Sequence, residues 1–257
     1  MELDLKGRTA LVTGGSRGIG LGVARMLASE GCNLHLASIN NANLEAARKD
    51  ITSAHRVDVA IHALDLSKTD NAVKLAKECG PVDILINNAG AIPHGTITGT
   101  DDKSMREGWD LKVFGYINLT REIYREMCEK RRGVIVNIVG INGERPDANV
   151  ISATMANAGL MAMSRALGIA SVNHGVRVVA VNPGGTETDR QIDRLKVRAG
   201  KELGDANRWR ELTTGFPMGR LAKVDEIAAM IVFLCSDRSG YTSGTVVTVD
   251  GGLSGRK

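Results

Sequence analysis

The chain of 257 residues has few aromatic residues and few prolines: three Phe, three Tyr, two Trp and five Pro. No apolar run approaches the ~20 residues of a membrane-spanning helix, and the first residues lack the apolar segment of a signal peptide. The net charge of +4 is too weak to indicate nucleic-acid binding. Glycine is frequent but does not recur at every third position, which excludes a collagen-like chain. These absences predict a globular cytoplasmic protein with neither a membrane nor a nucleic-acid partner.

Metal-ligating side chains are also few and scattered along the sequence. The cysteines form no C-x-x-C pair, and the histidines show no metal-ligand spacing. We therefore predict buried thiols in a reducing compartment, no metal ion, and no grouping of four of the histidines. The residues concerned are Cys32, Cys79, Cys128, Cys235, His35, His55, His62 and His174.

Short β-branched runs alternate with longer segments of helical periodicity. The predicted strands are Arg8–Thr13, Leu34–Ser38, Asp58–Asp65, Val82–Asn87, Gly133–Ile138, Val176–Asn182 and Thr245–Val249. The predicted helices are Ile19–Glu30, Asn41–Thr52, Ser67–Cys79 with Ser67 as N-cap, one or two helices in Asp102–Arg131, Ser152–Asn173 and Asp225–Ser236. This alternation is typical of βαβ units. It predicts a single α/β domain over residues 1–257, with a seven-stranded, mostly parallel, doubly wound sheet and helices on both faces.

Residues 186–217 interrupt this alternation, because they are polar and charged and contain no strand. Loops this long in compact domains often form lids, and residues 191–197 have the pattern of an amphipathic helix. Residues 189–210 contain seven basic and four acidic side chains, which favours an anionic substrate. A solvated charged helix is the alternative. We expect Trp209 to form an apolar wall for the substrate.

A glycine-rich turn joins the first strand to the first helix, with the sequence TGGSRGIG at residues 13–20. Gly14, Gly18 and Gly20 allow the backbone to approach a pyrophosphate. The start of the helix offers free N–H groups and the positive end of its dipole. A glycine motif in this strand-to-helix context predicts dinucleotide binding.

Four further motifs follow in order along the chain. They are NNAG at residues 87–90, NPG at 182–184, GRL at 219–221 followed by DEIA at 225–228, and DGG at 250–252. With the TGxxxGxG turn, these motifs make the chain resemble the short-chain dehydrogenase/reductase family over nearly its whole length. The resemblance implies a Rossmann fold, an NAD(P)(H)-dependent oxidoreductase, and a carbonyl or alcohol substrate.

The resemblance also implies which residues contact the cofactor. They are Gly14, Ser16, Arg17, Gly18, Ile19, Gly20, Ser38, Asp65, Leu66, Asn87, Ala89, Gly90, Asn157, Pro183, Gly184 and Thr188. The second predicted strand ends in Ser38-Ile39-Asn40, with no acid to hold a ribose 2′-hydroxyl. Because Arg17 can pair with a 2′-phosphate, we predict NADP(H) rather than NAD(H).

The usual catalytic residues of the family are an Asn, a Ser and a Tyr-x-x-x-Lys pair. By similarity their positions are taken here by Lys112, Gly140, Ala153 and Asn157. Two spacings common in the family support this register: 13 residues from Gly140 to Ala153 and 26 from Asn157 to Pro183. No Tyr occurs in residues 125–240, so a small shift in register does not restore one. We therefore predict a non-standard active site.

Lys112 is the candidate replacement acid, because a desolvated ammonium has a lowered pKa and can donate a proton. A solvated Lys at the rim of the cleft, or one that fills the vacated space, is the alternative. Other side chains expected near the cleft have structural alternatives of their own. They are Asn157 on the ribose, Ser152 and Thr154 beside the absent Tyr, His94, and the loop residues Glu144, Arg145, Asp147 and Asn149.

Three functional hypotheses follow from these residues. The first is an oxidoreductase with an atypical acid site, and the second is a catalytically inactive dinucleotide-binding homologue that acts as a sensor, scaffold or partner subunit. The third uses the cleft and the cofactor for elimination or hydrolysis. The resemblance further implies a homodimer or homotetramer, and small residues along 152–173, including Ala158 and Ala162, permit close helix packing.

Overall fold

Seven parallel strands form one sheet in the computed structural model, which describes residues 2–256. The strands are β1 (Thr9–Thr13), β2 (Asn33–Ser38), β3 (Val59–Ala63), β4 (Ile84–Asn87), β5 (Gly133–Ile138), β6 (Val176–Pro183) and β7 (Val246–Val249). Their spatial order is β3-β2-β1-β4-β5-β6-β7. The winding reverses between β1 and β4, so a crevice opens there at the carboxyl ends of the strands. The predicted doubly wound Rossmann fold is confirmed.

Eight helices connect and cover the strands. They are α1 (Gly18–Ser29), α2 (Asn41–Ala54), α3 (Thr69–Cys79), α4 (Asp102–Trp109), α5 (Gly115–Lys130), α6 (Ile151–Ser171), α7 (Asp189–Glu202) and α8 (Val224–Cys235). Apolar residues of α1, α2 and α8 pack on one face of the sheet, and those of α3, α5 and α6 pack on the other. Strands β4 and β5 are buried at every position, which explains their nearly continuous apolar sequence. Among residues 2–256, no helix has both the length and the apolar character needed to cross a membrane.

The predicted helical region 102–131 is two helices joined by a π turn. Residues Asp110–Phe114 adopt this wider turn, and α4 and α5 continue on either side of it. Such turns are rare in proteins, but those that occur often lie at functional sites. The π turn contains Lys112, which it directs toward the carboxyl end of β5.

The start of α3 differs from the prediction. The helix begins at Thr69 after Lys68, so Ser67 is not its N-cap. The Asp65 carboxylate accepts a hydrogen bond from the backbone N–H of Ser67 at 2.9 Å, and this turn delays the helix by two residues.

A buried polar network fixes the ends of β4 and β5 beneath the crevice. The Asn87 amide nitrogen donates to Thr120 Oγ1 and to Asn137 Oδ1, each at 2.9 Å. Asn137 in turn donates to Ser164 Oγ at 2.9 Å. These bonds tie α5 and α6 to the centre of the sheet and hold the floor of the crevice in place.

Two buried arginines connect distant parts of the chain. Arg8, just before β1, forms an ion pair with Asp237, which follows α8. Arg177 of β6 donates to the carbonyl oxygens of Leu234 at 3.0 Å and Ser236 at 2.9 Å. The end of α8 is thereby attached to two strands of the sheet.

Candidate functional site

The glycine turn closes tightly on the carboxyl end of β4. The φ angles of Gly14 and Gly18 are +63° and +56°, which side chains disfavour. A Cβ at Gly14 would lie 2.8 Å from the amide nitrogen of Asn88, and one at Gly20 would collide with the Gly14 carbonyl oxygen. Asn88 donates to the Thr13 carbonyl oxygen at 3.0 Å and so holds the turn from below. Each glycine is therefore required by space or by backbone conformation.

The first turn of α1 has free backbone N–H groups. Its N-cap, Arg17, makes no side-chain capping bond. These N–H groups and the positive end of the helix dipole face the crevice between β1 and β4. A cradle of glycines that opens onto a bare helix N-terminus fits a pyrophosphate.

A cavity of about 470 Å³ extends from this turn along the carboxyl ends of the strands. Fourteen of the predicted site residues line it: Gly14, Ser16, Arg17, Gly18, Ile19, Ser38, Asp65, Leu66, Ala89, Gly90, Lys112, Pro183, Gly184 and Thr188. The six sequence segments that carry these residues thus meet at one cleft.

Three of the residues predicted to contact the cofactor lie outside the lining of this cavity. Gly20 packs under the turn, Asn87 belongs to the buried network beneath the crevice, and Asn157 is buried behind Gly140. These three residues therefore lie beneath the cleft and do not form its surface.

The end of β2 has no acidic side chain toward the cleft. Ser38 Oγ accepts a hydrogen bond from Ser16 Oγ at 3.1 Å, and the neighbouring Ile39 is 73% exposed. Arg17 is the cation beside these two serines in the lining of the cleft. The structure therefore places Arg17 and Ser38, on which the prediction of NADP(H) depends, at the same end of the cleft.

Lys112 enters the cleft from the π turn. Its Nζ donates to the Val139 carbonyl oxygen at 2.5 Å, and its aliphatic stem packs on Gly90. No carboxylate in residues 2–256 forms an ion pair with it. Burial, together with the nearby charge of Arg190, lowers the pKa of Lys112 from 10.5 to about 8. Its ammonium can therefore lose a proton close to neutral pH.

Gly140 and Asn157 lie together behind Lys112. Gly140 has a φ of +135°, and a Cβ at this position would approach Asn157 Nδ2 to 3.1 Å. Asn157 is buried, and its Oδ1 has no hydrogen-bond partner. This oxygen is therefore an unpaired buried acceptor beneath the cleft rather than on its surface. Ala153, one helical turn earlier on α6, is half-buried and has no polar atom to offer.

Two arginines of α7 join the cleft from the lid side. Arg190 Nη1 donates to the Gly90 carbonyl oxygen at 2.7 Å, and both Arg190 and Arg194 line the cavity. Burial, with the charge of Arg17, lowers the pKa of Arg190, and burial, with the charge of Arg190, lowers that of Arg194. The sequence indicated a basic lid but not which arginines turn inward, since that depends on the rotation of α7.

Residues 186–217, which the sequence predicted to form a lid, contain α7 and a 3-10 helix at Ala206–Gly215. The position of Trp209 contradicts the expectation of an apolar wall for the substrate. Trp209 is buried within a small cluster with Leu195, Ala199 and Leu221, because α7 folds back over the 3-10 helix. It stabilises the lid itself and does not line the cavity.

A second, larger cavity of about 1550 Å³ separates α7 from the loop after β5. His94, Arg145, Asp147 and Asn149 line it, as does Arg194 from the lid. Burial and the charge of Arg194 lower the pKa of His94, and the nearby charge of Asp147 partly opposes them. This cavity continues the cleft toward solvent and has room for a substrate.

Three side chains near this loop have structural partners. Glu144 Oε2 accepts from Thr248 Oγ1 at 2.6 Å and so turns toward β7, away from the cavity. Ser152 Oγ accepts from the Trp109 indole N–H at 3.0 Å. Thr154 Oγ1 contacts the backbone of Asp147 at 3.4 Å. The expectation that Glu144 lies at the cleft mouth is wrong, because the hydroxyl on β7 binds it.

The prediction that the histidines do not group is wrong for two of them. His35 on β2 and His62 on β3 stack with ring centroids 5.2 Å apart, and Cys79 lies beside them. The parallel register of β2 and β3 creates this cluster from residues far apart in sequence. Spacing along the chain therefore gave no sign of it.

The parallel sheet with its glycine turn at the reversal of winding defines a Rossmann-type α/β domain. A sequence profile described as Enoyl-(Acyl carrier protein) reductase matches residues 14–254. The chain is 32% identical over 258 residues to the 3-oxoacyl-(acyl-carrier-protein) reductase FabG of Chlamydia muridarum, with 99% of this chain and 100% of the relative covered. It is 32% identical over 252 residues to the acetoacetyl-CoA reductase of Allochromatium vinosum, with 96% and 98% covered.

A solved structure shares this architecture over the whole chain. The L-sorbose reductase of Gluconobacter frateurii, complexed with NADPH and L-sorbose, superposes with a TM-score of 0.94 at 28% identity, and each chain is fully covered. The chain belongs to the short-chain dehydrogenase/reductase family.

Proposed function

We propose that this protein is an NADP(H)-dependent oxidoreductase that interconverts a carbonyl and an alcohol on a small anionic substrate, with Lys112 as the proton donor. The observation that carries the proposal is the Lys112 ammonium in the cleft. It lies between the Gly90 backbone and the Val139 carbonyl oxygen, has no ion-paired acid, and has a pKa of about 8. The relatives named for reduction of 3-oxoacyl and acetoacetyl groups support a carbonyl substrate.

The residues present fit a nicotinamide dinucleotide. Gly14 and Gly18 leave room that a Cβ would fill, and the bare N-terminus of α1 suits a pyrophosphate. Asp65, Leu66, Ala89, Gly90, Pro183, Gly184 and Thr188 line the same cavity, and Asn87 and Asn157 lie beneath it.

A 2′-phosphate would find a cation and no competing acid at the end of β2. Arg17 lines the cleft beside Ser38, and Ser38 and Ser16 offer hydroxyl donors. A guanidinium and hydroxyl groups suit a phosphate, whereas a bare ribose gains little from the arginine. These residues support NADP(H) over NAD(H).

The nicotinamide, when bound, supplies or accepts the hydride. Lys112 Nζ would donate a proton to the substrate oxygen as that oxygen gains negative charge, and its positive charge would stabilise the same oxygen before the transfer. In the oxidising direction the neutral amine would remove the alcohol proton. Arg194 would hold an anionic group of the substrate at the opening into the larger cavity.

The surroundings of Lys112 support a non-standard catalytic site. Gly140 stands at the position of the usual Ser, and its φ of +135° disfavours any side chain. Ala153 and Asn157 stand at the positions of the usual Tyr and Lys, and neither can donate an acidic proton. Among these four positions, only Lys112 carries a group able to act as an acid.

A second candidate is a homologue that binds the dinucleotide without turnover. One observation favours it: Lys112 Nζ is bonded to the Val139 carbonyl oxygen at 2.5 Å. An ammonium anchored in this way would fill the vacated space and would act as a structural group. The protein would then serve as a sensor, scaffold or partner subunit.

We further propose a cytoplasmic homodimer or homotetramer that pairs through α6. An exposed stripe of mostly small or apolar residues runs along this helix: Met155, Ala158, Gly159, Ala162, Ala166 and Ile169. Small side chains allow two helices to approach closely, and burial of such a stripe stabilises association.

The test measures binding and turnover with the same preparation. Titration with NADPH and with NADH gives the two dissociation constants, and we expect NADPH to bind at least tenfold more tightly. Turnover is then followed by nicotinamide absorbance with 3-oxoacyl thioesters and ketoses, and the alcohol product is identified. Tight NADPH binding with no product on either class supports the second candidate. Failure to bind either dinucleotide contradicts both.

A further inference from the structure

A cluster of metal-ligating side chains lies away from the cleft, on the sheet face covered by α3. His35 on β2 and His62 on the edge strand β3 meet Cys79, the last residue of α3. His35 Nδ1 lies 2.9 Å from His62 Nε2, and Cys79 Sγ lies 3.7 Å from the same nitrogen. All three ligand atoms lie within 4.8 Å of one another.

We propose that His35, His62 and Cys79 bind one Zn²⁺ ion. Bonds of about 2.0–2.1 Å to nitrogen and about 2.3 Å to sulfur in a tetrahedral site separate two nitrogens by about 3.3 Å and a nitrogen from the sulfur by about 3.6 Å. The observed separations of 2.9 Å and 3.7 Å differ from these by a few tenths of an ångström. The third separation, between His35 Nδ1 and Cys79 Sγ, lies within 4.8 Å and has to close to about 3.6 Å, so rotation of these two side chains would bring the three atoms to tetrahedral positions.

A carboxylate orients one of the ligands. His62 Nδ1 lies 3.1 Å from Glu78 Oε2, so this nitrogen carries the proton and donates it to the carboxylate. The His62 Nε2 lone pair then faces His35 and Cys79. A histidine whose second nitrogen is held by a carboxylate is the usual arrangement around protein-bound zinc. Glu78 is a positioning residue in this site, since it acts through His62.

The protons and charges of binding balance. A cysteine gives up its thiol proton when its sulfur bonds zinc, because the thiolate is the ligand. Zn²⁺ displaces this proton to solvent and bonds the thiolate, and the proton on His35 Nδ1 moves to its Nε2. The zinc with one thiolate keeps one positive charge, which the Glu78 carboxylate offsets. A water molecule completes the coordination.

The ligand set selects a borderline-soft metal. Two imidazoles and a thiolate suit Zn²⁺, whereas Ca²⁺ and Mg²⁺ require oxygen ligands. The ion would connect the edge strand β3, which pairs only with β2, to the end of α3. We therefore expect a structural effect, a gain in stability at this edge of the sheet.

The test uses the full chain, kept reduced and freed of metal with a chelator. Competition between the protein and a chromophoric chelator measures Zn²⁺ affinity, and we expect one equivalent per chain. Cys79→Ser and His62→Gln should each weaken binding at least 100-fold, and Glu78→Gln about 10–100-fold. Cys128→Ser and His55→Gln, which change a thiol and an imidazole outside the cluster, should leave it unchanged. At 100-fold excess over Kd, Zn²⁺ should raise the Tm of the wild type by roughly 5–10 °C.

Cobalt provides a readout that does not depend on the variants. Co²⁺ bound to wild-type protein should give the near-ultraviolet charge-transfer band of a thiolate ligand, and modification of the thiols should abolish it. A wild type that binds no stoichiometric Zn²⁺ and shows no such band overturns the proposal. So does equal Zn²⁺ affinity in the wild type, Cys79→Ser and His62→Gln.

Discussion

At the scale of single residues, Lys112 distinguishes a catalyst from a binding protein. Lys112→Met removes the proposed proton donor and keeps the length of the side chain, so we expect kcat for carbonyl reduction to fall by about 100-fold or more. NADPH affinity should change little, because the cradle for the pyrophosphate is on α1. Steady-state kinetics and NADPH titration give both values.

Lys103→Met on α4 is the matched control, since Lys103 is exposed and pairs with Glu107. It should keep wild-type kcat. Full turnover in Lys112→Met would remove this lysine from the mechanism. The side chains that line the larger cavity, Arg145, Asp147 and Asn149, would then be examined next.

The pKa of Lys112 also predicts the pH dependence of the reaction. In the proposed mechanism the protonated ammonium is the acid, so carbonyl reduction should be constant below the pKa and fall as pH rises through it. Burial, and to a smaller extent the charge of Arg190, lower the pKa to about 8 in the free protein. We expect the pH profile of kcat/KM, which reports the free enzyme, to have its midpoint near this value. Alcohol oxidation, which needs the neutral amine, should rise over the same range, and parallel profiles in the two directions would contradict the assignment.

Arg17 determines the expected preference between the two cofactors. Arg17→Ala removes a charge-assisted hydrogen bond to the 2′-phosphate, which is worth about 1.5–3 kcal/mol, so NADPH affinity should fall about 10–100-fold. NADH affinity should stay within about twofold. Arg25→Ala on the same helix, where the guanidinium pairs with Asp50, is the control. Isothermal titration with both dinucleotides measures the ratio of NADPH to NADH affinity. An unchanged ratio in Arg17→Ala would contradict the proposal that this arginine binds the 2′-phosphate.

At the scale of secondary-structure elements, the hydrogen bond from Arg190 to the Gly90 carbonyl oxygen joins α7, part of the predicted lid, to the cleft. Arg190→Ala removes the bond from α7 to the Gly90 carbonyl oxygen, so the lid should open about tenfold more often. Trypsin cleavage within residues 189–210 follows this opening and should accelerate by about the same factor. Arg198→Ala on the exposed side of α7 also removes one trypsin site and should cleave at the wild-type rate. Equal rates in the two variants would show that Arg190 does not hold the lid.

The sequence predicted most elements because their signals are local. The apolar runs of β4 and β5 and the glycine turn before α1 need no knowledge of the rest of the chain. The place of Trp209 and the meeting of His35 with His62 could not be predicted in this way, because each depends on how elements far apart in sequence pack. The inward orientation of Arg190 likewise depends on how α7 packs against the rest of the domain. Patterns along the chain therefore predicted the strands, helices and glycine turn that form the site. They did not predict which side chains from distant elements contact it.

At the scale of the whole molecule, the exposed stripe on α6 predicts self-association. Ala162→Glu places a charge in the middle of this stripe, where a partner helix would have to bury it, so the mass in solution should drop to that of a smaller species. Lys201→Gln on α7 is a control of equal charge change, −1, at an exposed position. Light scattering measures the mass. A monomeric wild type, or an unchanged mass in Ala162→Glu, would contradict association through α6.

The ion pair between Arg8 and Asp237 joins an early and a late part of the chain in the order of its synthesis. The two residues are 229 positions apart, and at about 5–20 residues per second a ribosome needs roughly 10–50 s to produce the second after the first. During that interval β1 can pair with β2 and β4, but α8 has not yet been made to cover its face of the sheet. The nascent chain therefore exposes an apolar surface for most of its synthesis.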